Sequence, residues 1–225
     1  MKKSRLLEIA CFDSESAVIA QDSGADRIEF CADYSSGGIT PSFENLNEIR
    51  KLISIPLFVM IRPRVGNYIY SDSEFESMKD SIAQCRVLKV DGVVTGILTP
   101  KNMIDIKRCT ELVSMAKPMH VTFHRAFDET PEPLKALDEV IGCGFDRILT
   151  SGKKENAVTG ITLISELISA AKEKIRIMPG GGVRSGNISE LIKTGAKEFH
   201  SSALNLQTMR ADENEIRQMK KKIAQ

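Results

Sequence analysis

The chain has 225 residues, and its 31 Lys and Arg are matched by 30 Asp and Glu, leaving a formal net charge of +1. That balance speaks against a nucleic-acid surface, which concentrates basic charge in a patch or stripe, so no nucleic-acid partner is expected. Hydrophobic residues at 42% and charged residues at 27% exclude a disordered or fibrous chain and leave enough apolar material for a sizeable core.

Short apolar or β-branched runs alternate with amphipathic segments from one end to the other. A strand over 6–11 leads into a helix over 14–23, and a strand over 27–31 into a helix over 43–52. The alternation continues with a strand over 57–61 and a helix over 72–88, then a strand over 92–95 and a helix over 102–116. A strand over 119–123 precedes a helix over 131–141. Strands over 147–150, 175–178 and 198–201 complete the set, with helices over 162–171, 187–194 and 212–223.

Ser71 with Glu74 three residues on reads as a capping box, and Thr130 before Pro131 reads as an N-cap with proline in the first turn. Gly24, Gly144 and Gly195 each stand between a helix and a strand, where a left-handed residue is wanted. No linker, charge run or low-complexity stretch divides the chain. Eight βα units of roughly 28 residues match one (β/α)8 TIM-type barrel, α/β in class, spanning 1–225 and ending in a C-terminal helix. A doubly wound open sheet shows the same alternation, but no G-x-G-x-x-G follows the first strand.

No uncharged apolar run nears the roughly 20 residues that span a bilayer, so no membrane partner is expected. The N-terminal apolar run is broken by Glu8 and ended by Asp13, unlike a signal peptide. Five cysteines lack any C-x-x-C pair, so reduced thiols in a cytoplasmic chain are the expectation.

In such a barrel the loops after the strands build the functional face. Here they hold Arg62 and Arg64, His124 and Arg125 with Asp128, the glycines Gly180, Gly181 and Gly182, and His200 with Ser201 and Ser202. Alternation along each strand puts Glu8 on one face with Ala10 and turns Cys11 the other way; it pairs Glu29 with Cys31 and Thr122 with His124. If Glu8 and Glu29 face inward, two carboxylates share the barrel with Arg62, His124 and His200 and must be paired or open to water.

One reading is an internal Glu/Arg network that only holds the barrel together; the other is a ligand site. In the ligand reading His124 is a general acid/base, with Glu8, Glu29, Asp128 and His200 as further catalytic candidates. Arg62, Arg64 and Arg125 supply charge, and the backbone of Gly180, Gly181 and Gly182 with Ser201 and Ser202 supplies the cradle, where barrels of this kind hold a phosphate. A small anionic ligand is the expected partner. His120, at the far end of its strand, is read as structural.

Taken together these segments closely resemble the CutC family, named for copper homeostasis. The matching stretches include Gly24-Ala-Asp-Arg-Ile-Glu-Phe-Cys31, Met60-Ile-Arg-Pro-Arg64, Val121-Thr-Phe-His-Arg-Ala-Phe-Asp128, Met178-Pro-Gly-Gly-Gly-Val183 and Glu198-Phe-His-Ser-Ser-Ala203, in order along nearly the whole chain. The resemblance implies a single-domain barrel linked to copper homeostasis, a homo-oligomer with a dimer favoured, and Cu(I) held by a cysteine pair near the ends of the first two strands. Those positions are Ala10 and Cys31 here, so Cys31 is the one metal-ligand candidate and the pair lacks its first thiol. The family-like Arg-Pro-Arg-Gly-Gly-Asp-Phe segment also reads Arg62-Pro-Arg-Val-Gly-Asn-Tyr68, which alters a mouth loop. Three functions stay open: a copper homeostasis protein, a barrel enzyme acting on a small anionic or phosphorylated metabolite by acid/base chemistry, and a non-catalytic oligomeric scaffold.

Overall fold

The apolar runs become eight parallel strands: β1 Leu6–Cys11, β2 Arg27–Phe30, β3 Leu57–Met60, β4 Gly92–Thr95, β5 His120–Phe123, β6 Arg147–Thr150, β7 Arg176–Pro179 and β8 Glu198–Ser201. They are seen in a computed structural model that describes residues 5–225; Lys2 and Lys3 of the N-terminal segment lie outside it. The strand order β7-β6-β5-β4-β3-β2-β1-β8 curls the sheet into a barrel. Its last seam, between β7 and β8, is closed by contact without a hydrogen-bonded register.

Helices α1 Ser14–Asp22, α2 Phe43–Leu52, α3 Asp72–Val87, α4 Ile106–Ala116, α5 Pro133–Cys143, α6 Ile161–Ala171 and α7 Ile188–Ile192 alternate with the strands. A ribbon of β9 Leu204–Asn205 and β10 Arg210–Ala211 leads into the closing helix α8 Glu213–Ile223. This is the (β/α)8 barrel with a C-terminal helix that the alternation implies. Among the described residues no helix is long and apolar enough to cross a membrane.

Burial sorts the strand faces. Leu7, Ile9, Cys11, Ile28, Phe30, Val59 and Phe123 face the helices in one apolar layer, which leaves the alternate, more polar positions inside the barrel. Cys31, Phe58, Met60 and Val94 form a small apolar cluster of their own.

The capping box forms as expected: Ser71 Oγ accepts from Glu74 N at 3.3 Å and Glu74 Oε2 accepts from Ser71 N at 2.7 Å. Gly24, Gly144 and Gly195 take φ of +92°, +87° and +89°, the region an L side chain avoids. Two helix starts differ from the sequence reading by more than one residue. The fourth helix begins at Ile106 rather than 102, because Asn102 turns left-handed (φ +55°) and Asp105 caps by accepting from Arg108 N at 3.1 Å. Thr130 is not an N-cap: it ends a 3-10 turn over Arg125–Glu129, donating to the Phe127 carbonyl at 2.8 Å, and Pro133 rather than Pro131 opens the helix.

The repeated Gly-x-Asp-Arg return into the strands has a physical reason. Asp26 accepts from Leu7 N and Asp146 from Val121 N, both at 2.7 Å, tying each returning strand to the foot of the one before it. The next residue of each repeat, Arg27 or Arg147, then points into the barrel, where both are buried.

Candidate functional site

The lower interior is an ionic layer that these two arginines build. Glu198 Oε2 accepts from Arg27 Nη2 at 2.7 Å and from Arg147 Nε at 3.0 Å, while Arg27 Nε also binds Glu8 Oε2. Arg147 Nη1 reaches the Thr122 hydroxyl at 3.3 Å. Both guanidinium groups lie over the Phe58 ring, at 4.6 and 4.9 Å from its centroid. Buried charges persist only when paired in this way. The network reading of Glu8 is therefore the one its surroundings support, with Arg27 as the partner rather than Arg62.

His200 links this layer to the barrel mouth. Its Nδ1 lies 2.7 Å from Glu8 Oε1 and its Nε2 lies 3.8 Å from Glu29 Oε2. Burial alone would raise the Glu8 carboxyl, but the Arg27 charge and the His200 contact outweigh it and hold the group near 2. Glu29 is pushed up to about 7, mainly by burial, with His200 opposing and Glu8 reinforcing the rise. Its Oε2 accepts from the Cys31 thiol at 3.5 Å, and its buried Oε1 has no partner among the described residues. For His200, burial opposes protonation, but the two carboxylates raise its pKa.

The thiol pair is absent in space as well as in sequence. Cys11 faces the helices, with its sulfur against the Ile9 carbonyl, while Ala10 lines the mouth cavity. Cys31 sits behind the cavity wall, and burial beside Glu29 pushes its thiol well above the ordinary range. Its neighbours Phe58, Met60 and Val94 offer no second thiolate, so the residues present do not fit a paired-thiol Cu(I) centre. The donors that do converge are oxygen and nitrogen: ligand atoms of Glu8, Glu29 and His200 lie within 4.8 Å of one another.

Above this lies a cavity of about 420 Å³ at the C-terminal ends of the strands. It gathers Glu29, Arg62, His124, Arg125, Asp128, Gly181, Gly182, His200, Ser201 and Ser202, all of them candidates from the sequence. It leaves out Glu8, which lies below; Gly180, which lies behind; and Arg64, which turns outward to Glu74 at 2.5 Å and the Ile69 carbonyl at 2.7 Å. Arg184, Tyr68 and Phe12 also line it and were missed. Arg184 ends the glycine run after β7, and its position as the single charge there was the available signal.

Several candidates have other duties. Arg62 donates to the carbonyls of Ser36, Gly38 and Gly66 at 2.9 to 3.1 Å and stacks on Tyr68, clamping two mouth loops, with only Nε unengaged. Asp128 accepts from Thr150 Oγ1, Ser151 N, Lys153 N and Arg125 Nε at 2.5 to 3.1 Å, which makes it a loop tie rather than a proton carrier. Gly180 donates to the Thr150 carbonyl at 2.9 Å, and a Cβ there would stand 2.3 Å from Leu149, so it serves close packing. Ser201 Oγ donates to the Val183 carbonyl at 2.7 Å.

Other donors on the same cavity are not used up in this way. Arg125 engages Asp128 through Nε and Ser151 through Nη2, leaving Nη1, which leans over Gly181. Gly181 and Gly182 have φ of +92° and +70°, and their N–H groups take no part in the backbone hydrogen-bond pattern of the described residues. N–H groups without a backbone partner beside a guanidinium are of the kind that suits a multivalent oxyanion.

His124 Nδ1 accepts from Ala126 N at 3.3 Å, so its proton sits on Nε2, which is buried without a partner. Burial first, and the Arg62 charge second, depress it from 6.5 to about 3. At neutral pH it is a neutral donor. Because the unfolded chain takes up this proton first, its stabilising contribution is whole above pH 6.5 and is lost as pH falls towards 3. The stability gap between the native chain and His124→Gln is therefore expected to shrink by up to about 1.4 kcal/mol per pH unit on acidification. Urea denaturation at neutral and mildly acidic pH checks this; a constant gap would mean the folded imidazole is charged.

Fold and cavity together define a (β/α)8-barrel protein with an ionised interior and a polar cavity at the C-terminal mouth. The chain belongs to the CutC family, whose model matches residues 5–205. It is 46% identical to the human copper homeostasis protein cutC homolog, over 88% of this chain and 73% of that one. A CutC family protein of Parabacteroides distasonis is 46% identical over 90% of this chain and 84% of its own length. The crystal structure of CutC from Streptococcus agalactiae superposes with a TM-score of 0.84 at 32% identity, covering 88% of this chain and 98% of that one.

Proposed function

We propose that this chain serves copper homeostasis, the role for which its human relative is named, through a small anionic ligand held in the mouth cavity. The observation that carries this reading is that Arg125, Arg184, Gly181 and Gly182 line one cavity, with Arg125 Nη1 left over from its Asp128 and Ser151 contacts and the two glycine N–H groups outside the backbone hydrogen-bond pattern of the described residues. A thiol-based copper centre has no comparable support, since Ala10 takes the place of one ligand. The acid/base enzyme reading loses Glu8 to Arg27 and Asp128 to the loop after β6. The cytosol suits the chain as a compartment, because its five cysteines are free and buried.

Calorimetric titration with inorganic phosphate and simple sugar phosphates tests the reading. Millimolar to micromolar affinity is expected from two or three charge-assisted hydrogen bonds after the cost of association. Arg125→Ala removes one such bond, and Gly181→Val puts a side chain at a left-handed position 3.4 Å from Arg125 Nη1. Each is expected to weaken binding at least about tenfold. Equal affinity in all three proteins, or no heat with any anion, would overturn it.

A further inference from the structure

We propose that Glu29 and His200 form a site for one divalent transition-metal ion of the zinc class, with Glu8 as the residue that orients the imidazole. The two ring nitrogens of His200 face different carboxylates. Nδ1 faces Glu8 Oε1 at 2.7 Å, and that carboxylate is itself fixed by Arg27 through its other oxygen. Nδ1 is therefore the protonated nitrogen of the neutral ring, and Nε2 carries the lone pair. A carboxylate behind a histidine in this way is the arrangement that sets tautomer and ring orientation in metal sites.

The lone pair of Nε2 faces Glu29 Oε2 at 3.8 Å. That separation is too long for a hydrogen bond. Two donors bound to one zinc ion at about 2.0 to 2.2 Å stand roughly 3.4 to 3.8 Å apart at tetrahedral or wider angles, so the gap has the width that a shared cation needs. The second pointer is independent of this spacing: Glu29 is 2% exposed, and its Oε1 is buried with no hydrogen-bond partner among the described residues. A carboxyl oxygen removed from both water and donors is costly to keep, and a cation beside it is a direct remedy.

The donor set selects the class of ion. One imidazole nitrogen and carboxylate oxygens suit zinc-class ions, whereas calcium and magnesium take oxygen-only sets and Cu(I) takes sulfur. Cys31 is not required, because its thiol donates to Glu29 Oε2 at 3.5 Å rather than offering a lone pair to the space between Glu29 and His200. Glu29 and His200 both line the mouth cavity, so the remaining coordination positions open toward water or an anion. The site goes beyond the anion reading and does not rest on it, since the metal is tested alone.

Chelator-treated protein is titrated with zinc chloride in phosphate-free buffer, as the native chain and as E29Q, H200Q and C31S. The same four titrations are repeated in a His120→Asn background, which removes an exposed imidazole 3.4 Å from Asp146. One equivalent per chain is expected, weakened at least about tenfold in E29Q and H200Q and unchanged in C31S. Zinc-edge X-ray absorption on the native chain reads the same site without substitution, and decides the matter if a variant fails to fold. It should give a nitrogen and oxygen shell at about 2.0 to 2.2 Å with no sulfur near 2.3 Å. Absence of binding, binding undiminished in E29Q and H200Q, or a sulfur ligand each overturns the assignment.

Discussion

Glu198→Ala is expected to destabilise the chain by about 3 to 5 kcal/mol. One carboxylate oxygen accepts from two buried guanidinium groups, Arg27 at 2.7 Å and Arg147 at 3.0 Å. Arg27 keeps Glu8 when Glu198 is removed, but Arg147 is left with the Thr122 hydroxyl alone. Two like charges over one phenyl ring then repel each other in a medium that screens poorly. Domains of this kind are stable by roughly 5 to 15 kcal/mol, so the loss is a large share of the whole. Urea denaturation against Glu190→Ala, an exposed glutamate on α7, is the measurement. A loss below about 1 kcal/mol would show that the interior ions are screened as if at the surface.

Gly160→Ala is the second large effect. A Cβ at this position would stand 1.9 Å from the Ser151 carbonyl oxygen and 2.9 Å from Gly152 Cα, both backbone atoms. Ser151 cannot easily yield, because Asp128 holds its N–H and its hydroxyl, and Arg125 holds the hydroxyl too. Overpacking against fixed backbone costs about 1 to 3 kcal/mol or more. Displacing Ser151 also frees Arg125 from its Nη2 anchor, so anion affinity should fall together with stability. Gly142→Ala is the opposing control. It lies within α5, where an added methyl would meet nothing within 4 Å, and should stabilise by about 0.5 to 1 kcal/mol. Thermal unfolding and calorimetry of both variants read the contrast.

The barrel was legible because strand and helix periods alternate cleanly, and the same alternation correctly put Ala10 inward and Cys11 outward. The ionic layer was not. Arg27 and Arg147 stand in the returns at the feet of their strands, and Arg27 meets Glu198 across 171 positions of chain, a pairing that no local pattern encodes. Arg62 and Arg64 illustrate the other limit. They share a loop two residues apart, yet one is buried among loop carbonyls while the capping-box Glu74 draws the other outward. Arg184 lies five residues beyond the end of β7, where no strand period remains to aim a side chain. The fifth helix opens at Pro133, two residues later than the sequence implies, since Asp128 holds the 3-10 turn and its following loop in place before the helix can begin.

A fully laddered barrel has no loose edge, but here β7 and β8 meet without a ladder. Each carries one bank of the cavity: Gly181 to Arg184 follow β7, while His200 and Ser201 finish β8 and Ser202 follows it. Across this gap Ser201 reaches the Val183 carbonyl with a single hydroxyl. Any occupant that touches both banks therefore adds its own binding free energy to ring closure, by the linkage that stabilises whichever state binds. Occupancy and closure become one equilibrium, and the ligand acts as the keystone of the ring.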